Sequence, residues 1–192
     1  FVNETTIEKE IQQVHSIVGR TTYGFNDPRR HKLKVLSTLL GDGSSSRLFQ
    51  AVREKLGMTY QINTFLNSYL DVSAFGVYYS TNDKQAGKVN EIVHREFNKL
   101  RNTEVKAKEL KRVKEYIKGN TLMSLESTTN RMIRLANSLL HHGKIVPIED
   151  ILMKIDSVTS EDIQKLSNEV LNESTLSKII ICSKDNSIKK AA

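Results

Sequence analysis

A single cysteine, Cys182, rules out an intrachain disulfide. It follows Lys178-Ile-Ile-Ile, where an apolar setting favours a buried structural thiol over a reactive one. Such sparing use of cysteine suits a reducing compartment, so a cytoplasmic setting is expected. No apolar run approaches the roughly 18–20 residues that span a bilayer, so no membrane partner is expected. Neither H-E-x-x-H nor H-x-x-E-H occurs, and no metal site is expected in this chain. There is no G-x-S-x-G elbow and no phosphate loop with its lysine. The start, Phe1-Val2-Asn3-Glu4, lacks an initiator Met, a basic leader and a signal-like apolar core, and reads as the cut edge of a longer protein.

What is present is ordinary for a globular domain. At 192 residues, with 38% hydrophobic and 27% charged residues, the chain can bury one good core, and a single domain over 1–183 is expected. A flexible tail is expected over 184–192, with Lys189 and Lys190 in it. The net charge of +7 is concentrated in residues 84–118, which hold eleven Lys/Arg and five Glu. These charges alternate in sign beside an apolar stripe with few aromatics. That pattern fits a solvated helix face better than a nucleic-acid surface, so no nucleic-acid partner is expected.

The hydrophobic pattern starts with strands and then turns helical. Residues 8–20 carry β-branched residues in rough alternation and predict a strand ending at Gly19. Asp27-Pro28 predicts a helix start, with Asp27 as the cap and Pro28 at the first helical position. Leu33, Leu36, Leu39 and Leu40 follow at helical spacing until Gly41-Asp42-Gly43. The Ser44-Ser45-Ser46 cluster predicts the cap of a short helix whose apolar face is Leu48, Phe49, Val52 and Leu56. Two antiparallel strands are expected at 58–69 and 71–81. Beyond Asn82-Asp83 the stripes are helical. One holds Val89, Val93 and Phe97; a longer one runs from Val105 to Leu125 with Gly119 as an interruption. A helix over 128–142 is expected to pack Met132, Ile133, Leu135, Ala136, Leu139 and Leu140. Pro147 opens a short helix, Thr159-Ser-Glu-Asp162 looks like a capping box for the next, and residues 176–181 close as a strand. The order predicts an α+β fold, an antiparallel sheet packed on one face by several helices.

Candidate chemistry is thin. His141 and His142 are neighbours pointing about 100° apart on a helix, which suits the end of a helix dipole better than one ion. Glu91-x-x-His94 puts two ligand types on one helical face, but in a single copy. The turn Gly41-Asp-Gly-Ser could cradle an anion or simply stop one helix and start another. Arg53, one turn before the end of the short helix, and Tyr60, just past Gly57, could share a rim and donate to a peptide carbonyl or carboxylate. They could equally be ordinary residues of a helix–strand junction.

The segment Ser45-Ser-Arg-Leu-Phe-Gln50 with Arg53-Glu-Lys-x-Gly57-x-x-Tyr60 resembles the C-terminal half of pitrilysin-type (insulinase-like) zinc peptidases, on the branch of the mitochondrial processing peptidase. Glu10-x-x-Gln13-x-His15, Asn26-Asp-Pro28, Glu109-Leu110, Glu126-Ser127 and Val158-Thr-x-Glu-Asp162 continue the likeness in the right order. Asp42 and Ser44 depart from it, standing where the family usually has Gly and a larger apolar residue. The resemblance implies an α+β half-domain that faces an N-terminal zinc-binding half across a peptide chamber. It implies no cofactor in this chain, zinc in the partner half, a peptide as substrate, and a homodimer as a further arrangement. Tyr60 would then donate to the scissile carbonyl and Arg53 would position substrate, with Gly41, Gly43 and Ser44 lining the peptide path. The same resemblance admits a second role, a non-catalytic structural or peptide-binding subunit.

Overall fold

The computed structural model of the chain describes residues 2–184; the tail expected over 184–192 lies, apart from Lys184, outside the described residues. Strand β1 (Glu4–Lys9) and strand β2 (Val14–Tyr23) stand where the sequence predicts one strand over 8–20. The split has a long-range cause. The N–H of Ile11 turns back onto the carbonyl of Lys9 at 3.1 Å, and the last strand of the chain inserts between the two. Ile181 of that strand is paired with Ile7 on one side and His15 on the other.

Helix α1 (Arg30–Gly41) starts two residues later than Asp27-Pro28 predicts. One carboxylate oxygen of Asp27 accepts from the backbone N–H of Arg29 at 2.8 Å, and the other pairs with the Arg29 guanidinium at 2.8 Å. Asp27 therefore fixes a turn just ahead of the helix, whose first residue is Arg30. A π-helical turn (Phe49–Glu54) replaces the short α-helix expected next, and the N–H of Lys55 reaches the carbonyl of Gln50, five residues back, at 3.2 Å. Ser46 does not cap it; its hydroxyl donates backward to the carbonyl of Gly43 at 2.8 Å. Leu56, expected on its apolar face, is exposed.

Strands β3 (Gln61–Ser68) and β4 (Val72–Thr81) form the expected antiparallel pair, with Tyr60 just outside it. Helix α2 (Asp83–Asn102) is capped by the side chain of Asn82. Helix α3 (Ala107–Ser124) runs through Gly119 without a break, since open space surrounds that residue and no packing demands a kink there. Helices α4 (Thr128–His142), α5 (Ile148–Asp156) and α6 (Ser160–Val170) follow, the last with a reciprocal capping box between Thr159 and Asp162. Strand β5 (Ser177–Ser183) completes a sheet of order β1-β5-β2-β4-β3, antiparallel except for the β1–β5 pairing.

The α+β class with helices on one face of the sheet is thus observed. Alternation sorts the strands: Val14, Ser16 and Val18 of β2 and Phe75, Val77 and Tyr79 of β4 point into the core. Val18, Phe75, Val77 and Tyr79 share one cluster with Leu36 and Leu40 of α1, Val93 and Phe97 of α2, and Ile163 and Leu166 of α6. Each fully buried side chain of this size contributes roughly 1.5–3 kcal/mol. Cys182 is buried beside Val14, Ala86 and Ile180, and burial pushes its thiol up, as expected of a structural cysteine. The opposite face stays open at Ile7, Ile17 and Ile179.

One expectation fails outright. Helix α4 has the predicted bounds but does not bury its apolar stripe: Met132 is 63% exposed and Leu140 80%, and Ser138 is its one buried residue. The 3.6-residue period records that a stripe exists, not that this chain covers it.

His31, buried on α1, has its pKa pushed down to about 4 by burial and by the nearby charges of Arg30, Lys154 and His142. Above the unfolded value of about 6.5 neither state carries its proton. Between there and about 4 only the unfolded chain takes it up, so stability must fall as pH falls. From pH 7.5 to 5 we expect a loss of about 2 kcal/mol in urea unfolding, largely removed in His31→Gln. Equal losses in both proteins would show that His31 does not carry the effect.

Candidate functional site

The residues nominated from the sequence lie on one excursion of the chain, which leaves α1 at Gly41 and rejoins the sheet at Gln61. Its two ends touch. A Cβ at Gly41 would sit 2.7 Å from the backbone nitrogen of Thr64 on β3, so only glycine allows this approach. Next to it, the Thr64 hydroxyl donates to the carbonyl of Ser37 at 2.8 Å and accepts from the Ser37 hydroxyl at 3.0 Å.

The small-residue turn is held from outside. Gly43 has φ +87°, and a Cβ there would fall 2.8 Å from the Tyr116 hydroxyl of α3. Asp42 accepts from Lys34 at 3.1 Å, and the carbonyl of Ser45 accepts from Arg112 of α3 at 3.1 Å. Ser44 is exposed, with its carbonyl engaged by Gln50 at 2.8 Å. A small cavity of about 150 Å³ lies between this turn and α3, lined by Gly43, Ser44, Arg112 and Tyr116 among others.

Arg47 then anchors the excursion a second time. Its guanidinium forks onto Glu109 of α3, Nε to Oε1 at 2.9 Å and Nη2 to Oε2 at 2.8 Å. This fork holds the Glu109 carboxyl below its usual range. Leu48 and Val52 bury the inner side of the π turn, which leaves Arg53 on the outer side. The Arg53 guanidinium rests 4.9 Å from the centre of the Phe49 ring and pairs with no carboxylate among the described residues. Gly57, at φ +59°, reverses the chain, and its N–H closes on the carbonyl of Arg53 at 3.0 Å. Met58 is then clasped by the hydroxyl of Thr81. Between that clasp and β3 stands Tyr60, 81% exposed.

Arg53 and Tyr60 are therefore both held outward by anchored backbone, and no hydrogen bond or ring contact joins one to the other. Gly41 is buried under β3, so its part is to allow close packing; Gly43 and Ser44 are nearer the surface. The anchors Arg47–Glu109 and Gly43–Tyr116 had no local signal in the sequence, since each partner comes from α3, more than sixty residues along.

No group of three or more His, Cys, Asp or Glu among the described residues could hold a metal ion. His94 sits 3.2 Å from Glu173 and edge-on to Phe97, away from any pairing with Glu91. His141 and His142 end α4, as expected, and both rings lie against Phe25, 4.4 and 5.3 Å between centres.

Comparison with known proteins agrees with this architecture. Residues 3–117 match the family described as Peptidase M16 inactive domain. An uncharacterized zinc protease of Streptomyces coelicolor is 34% identical over 165 residues, 86% of this chain and 36% of that protein. The uncharacterized zinc protease YmxG of Bacillus subtilis is 32% identical over 168 residues, 88% of this chain and 41% of its own length. The chain thus spans well under half of these relatives. The crystal structure of a peptidase M16 inactive domain from Pseudomonas fluorescens superimposes with a TM-score of 0.83 at 18% identity, over 95% of this chain and 44% of that one.

The Arg47–Glu109 fork is open to a direct test, since both side chains are largely shielded, 19% and 22% exposed. Glu109→Gln keeps the shape but leaves the guanidinium without its charge partner, and should lower stability by about 1–2 kcal/mol at pH 7. Because the folded carboxyl titrates below its usual range, the wild-type advantage is complete above pH about 4.3 and disappears as pH falls through the folded value. Urea midpoints that coincide at pH 7 would show that the fork contributes nothing.

Proposed function

Since the chain belongs to the family of peptidase M16 inactive domains, we propose that it is the non-zinc half of a zinc endopeptidase and forms one wall of its peptide chamber. The likeness drawn from residues 41–60 to the C-terminal half of pitrilysin-type zinc peptidases is borne out at the level of the family. What the half does is the proposal. The relatives are named zinc proteases, and in this reading the metal and its ligands belong to an N-terminal half while this chain contributes by other means.

The observation that carries the reading is the presentation of Tyr60 and Arg53. Tyr60 is an exposed phenol on backbone fixed on both sides, and its hydroxyl makes no hydrogen bond among the described residues. A free donor in a fixed place can meet a peptide carbonyl oxygen as negative charge builds on it. It does so without first breaking a bond or reordering the chain. Arg53 offers a planar fork of donors suited to the backbone or a carboxylate of the substrate, and its stacking on Phe49 restricts the orientations open to it. The uncovered stripe of α4, with Met132, Leu139 and Leu140, and the open sheet face around Ile17 and Ile179 supply apolar surface on which the N-terminal half would rest. That covering would explain why a chain with this pattern leaves so much of it in water.

In a protein that carries both halves, Tyr60→Phe removes one donor and keeps the ring. Turnover of a peptide should drop about 10²–10³-fold, equivalent to roughly 2.7–4 kcal/mol. KM and melting temperature should stay close to wild type, because an exposed hydroxyl supports no packing. Arg53→Lys keeps the charge and loses the fork, so KM should rise. Near-full turnover in Tyr60→Phe would remove the catalytic role and leave the alternative, a non-catalytic structural or peptide-binding subunit of the same shape.

A further inference from the structure

Away from the excursion, a cavity of about 330 Å³ lies between α4, α5 and the turn that precedes α1. Its walls divide by chemistry. Phe25, Ile133, Val146 and Ile151 are apolar, while Arg30, Arg134 and His142 bring donors, and no carboxylate is among the lining residues. Enclosed arginines are normally answered by a carboxylate, as Arg47 is by Glu109 in this same chain. Neither Arg30 nor Arg134 forms an ion pair among the described residues.

Both guanidiniums are instead fixed by neutral groups. Arg30 stacks 4.1 Å from the centre of the Phe25 ring, donates from Nη1 to the carbonyl of Phe25 at 2.8 Å, and donates from Nε to His31 at 3.2 Å. Arg134 donates from Nη2 to the carbonyl of Val146, and its Nε–H is buried with no acceptor. Each arginine has five N–H donors, so several remain for a ligand. Asn137 stands on the same wall of α4, beside Asn130, whose amide already donates to the carbonyl of Ser124 at 3.0 Å. Burial already weighs against the charge on Arg30, which an arriving anion would relieve.

We infer that this cavity binds a carboxylate attached to an apolar body, the acid between Arg30 and Arg134 and the body against Phe25, Val146 and Ile151. The C-terminal residue of a peptide and a fatty acid both have this chemistry. The site needs no zinc and no contribution from Arg53 or Tyr60, so it stands or falls separately from the proposed peptidase role.

The test is a titration of the 192-residue chain with N-acetyl-leucine, N-acetyl-leucinamide, octanoate and inorganic phosphate, followed by backbone amide shifts and calorimetry. Saturable shifts are expected at Asn137, Ser138 and Val146, with N-acetyl-leucine binding at least 10-fold more tightly than its amide. Octanoate matching N-acetyl-leucine would identify the fatty-acid source; octanoate at least 10-fold weaker would identify the peptide terminus. Arg134→Gln should weaken the acid at least 10-fold. Should that variant unfold, Ile133→Glu, a half-exposed position on the same wall, should do the same by placing a competing carboxylate there. Equal affinity for acid and amide, equal affinity for phosphate, or shifts scattered over the surface would overturn the inference. So would loss of the acid preference in a protein carrying both halves, because that half would then fill the cavity itself.

Discussion

The contact between Gly41 and Thr64 sets the geometry on which the candidate site depends. Helix α1 is driven onto the sheet by Leu33, Leu36, Leu39 and Leu40, and its last residue arrives so close to β3 that no side chain fits between. Beside that contact the buried Ser37 hydroxyl donates to that of Thr64, which donates in turn to the Ser37 carbonyl. Everything from residue 42 to residue 60 is therefore a loop with its ends brought together. The entropy of closing it is met by the helix–sheet packing rather than by the loop's own contacts.

Such a loop could still be floppy, and three further ties account for its order. The turn is pressed against Tyr116, the start of the π turn is forked to Glu109, and Met58 is held by Thr81. The first two come from α3 and the third from β4, so the excursion is braced from both layers of the fold. With Leu48 and Val52 turned inward and Arg47 drawn to α3, Arg53 and Tyr60 are left on the outer side. Arg53 and Tyr60 are exposed as a result of how their neighbours are buried. The π turn matters here because one extra residue per turn alters which side chains share a face, and Leu56, apolar by pattern, is left in water.

How far the sequence foretold this follows from the range of the forces involved. Local chemistry was legible: the capping box of Thr159 and Asp162, the bounds of α4 and the stop at Gly41 all rest on neighbours within a few residues. The break between β1 and β2 was not, because it exists only to admit β5 from the far end of the chain. Asp27-Pro28 has the pattern of a helix start, yet the carboxylate is shared with the Arg29 guanidinium and the helix begins at Arg30, a detail that residue type alone does not decide. The stripe of α4 was legible and its partner was not. Within the site, residue identities at 53 and 60 could be nominated from their spacing and a family resemblance, whereas the anchors on α3 required the fold.

The central claim is that Arg53 and Tyr60 are held by an excursion locked at its base. Hydrogen exchange read by mass spectrometry on Gly41→Ala tests it most directly, since a Cβ there must push Thr64 away. Overpacking of this kind costs about 1–3 kcal/mol. If the lock is local, amides over 42–60 and the adjoining part of β3 should exchange roughly 10–100-fold faster while α2 and α6 keep their protection. Unchanged exchange over 42–60, or acceleration spread evenly over the whole chain, would contradict the account.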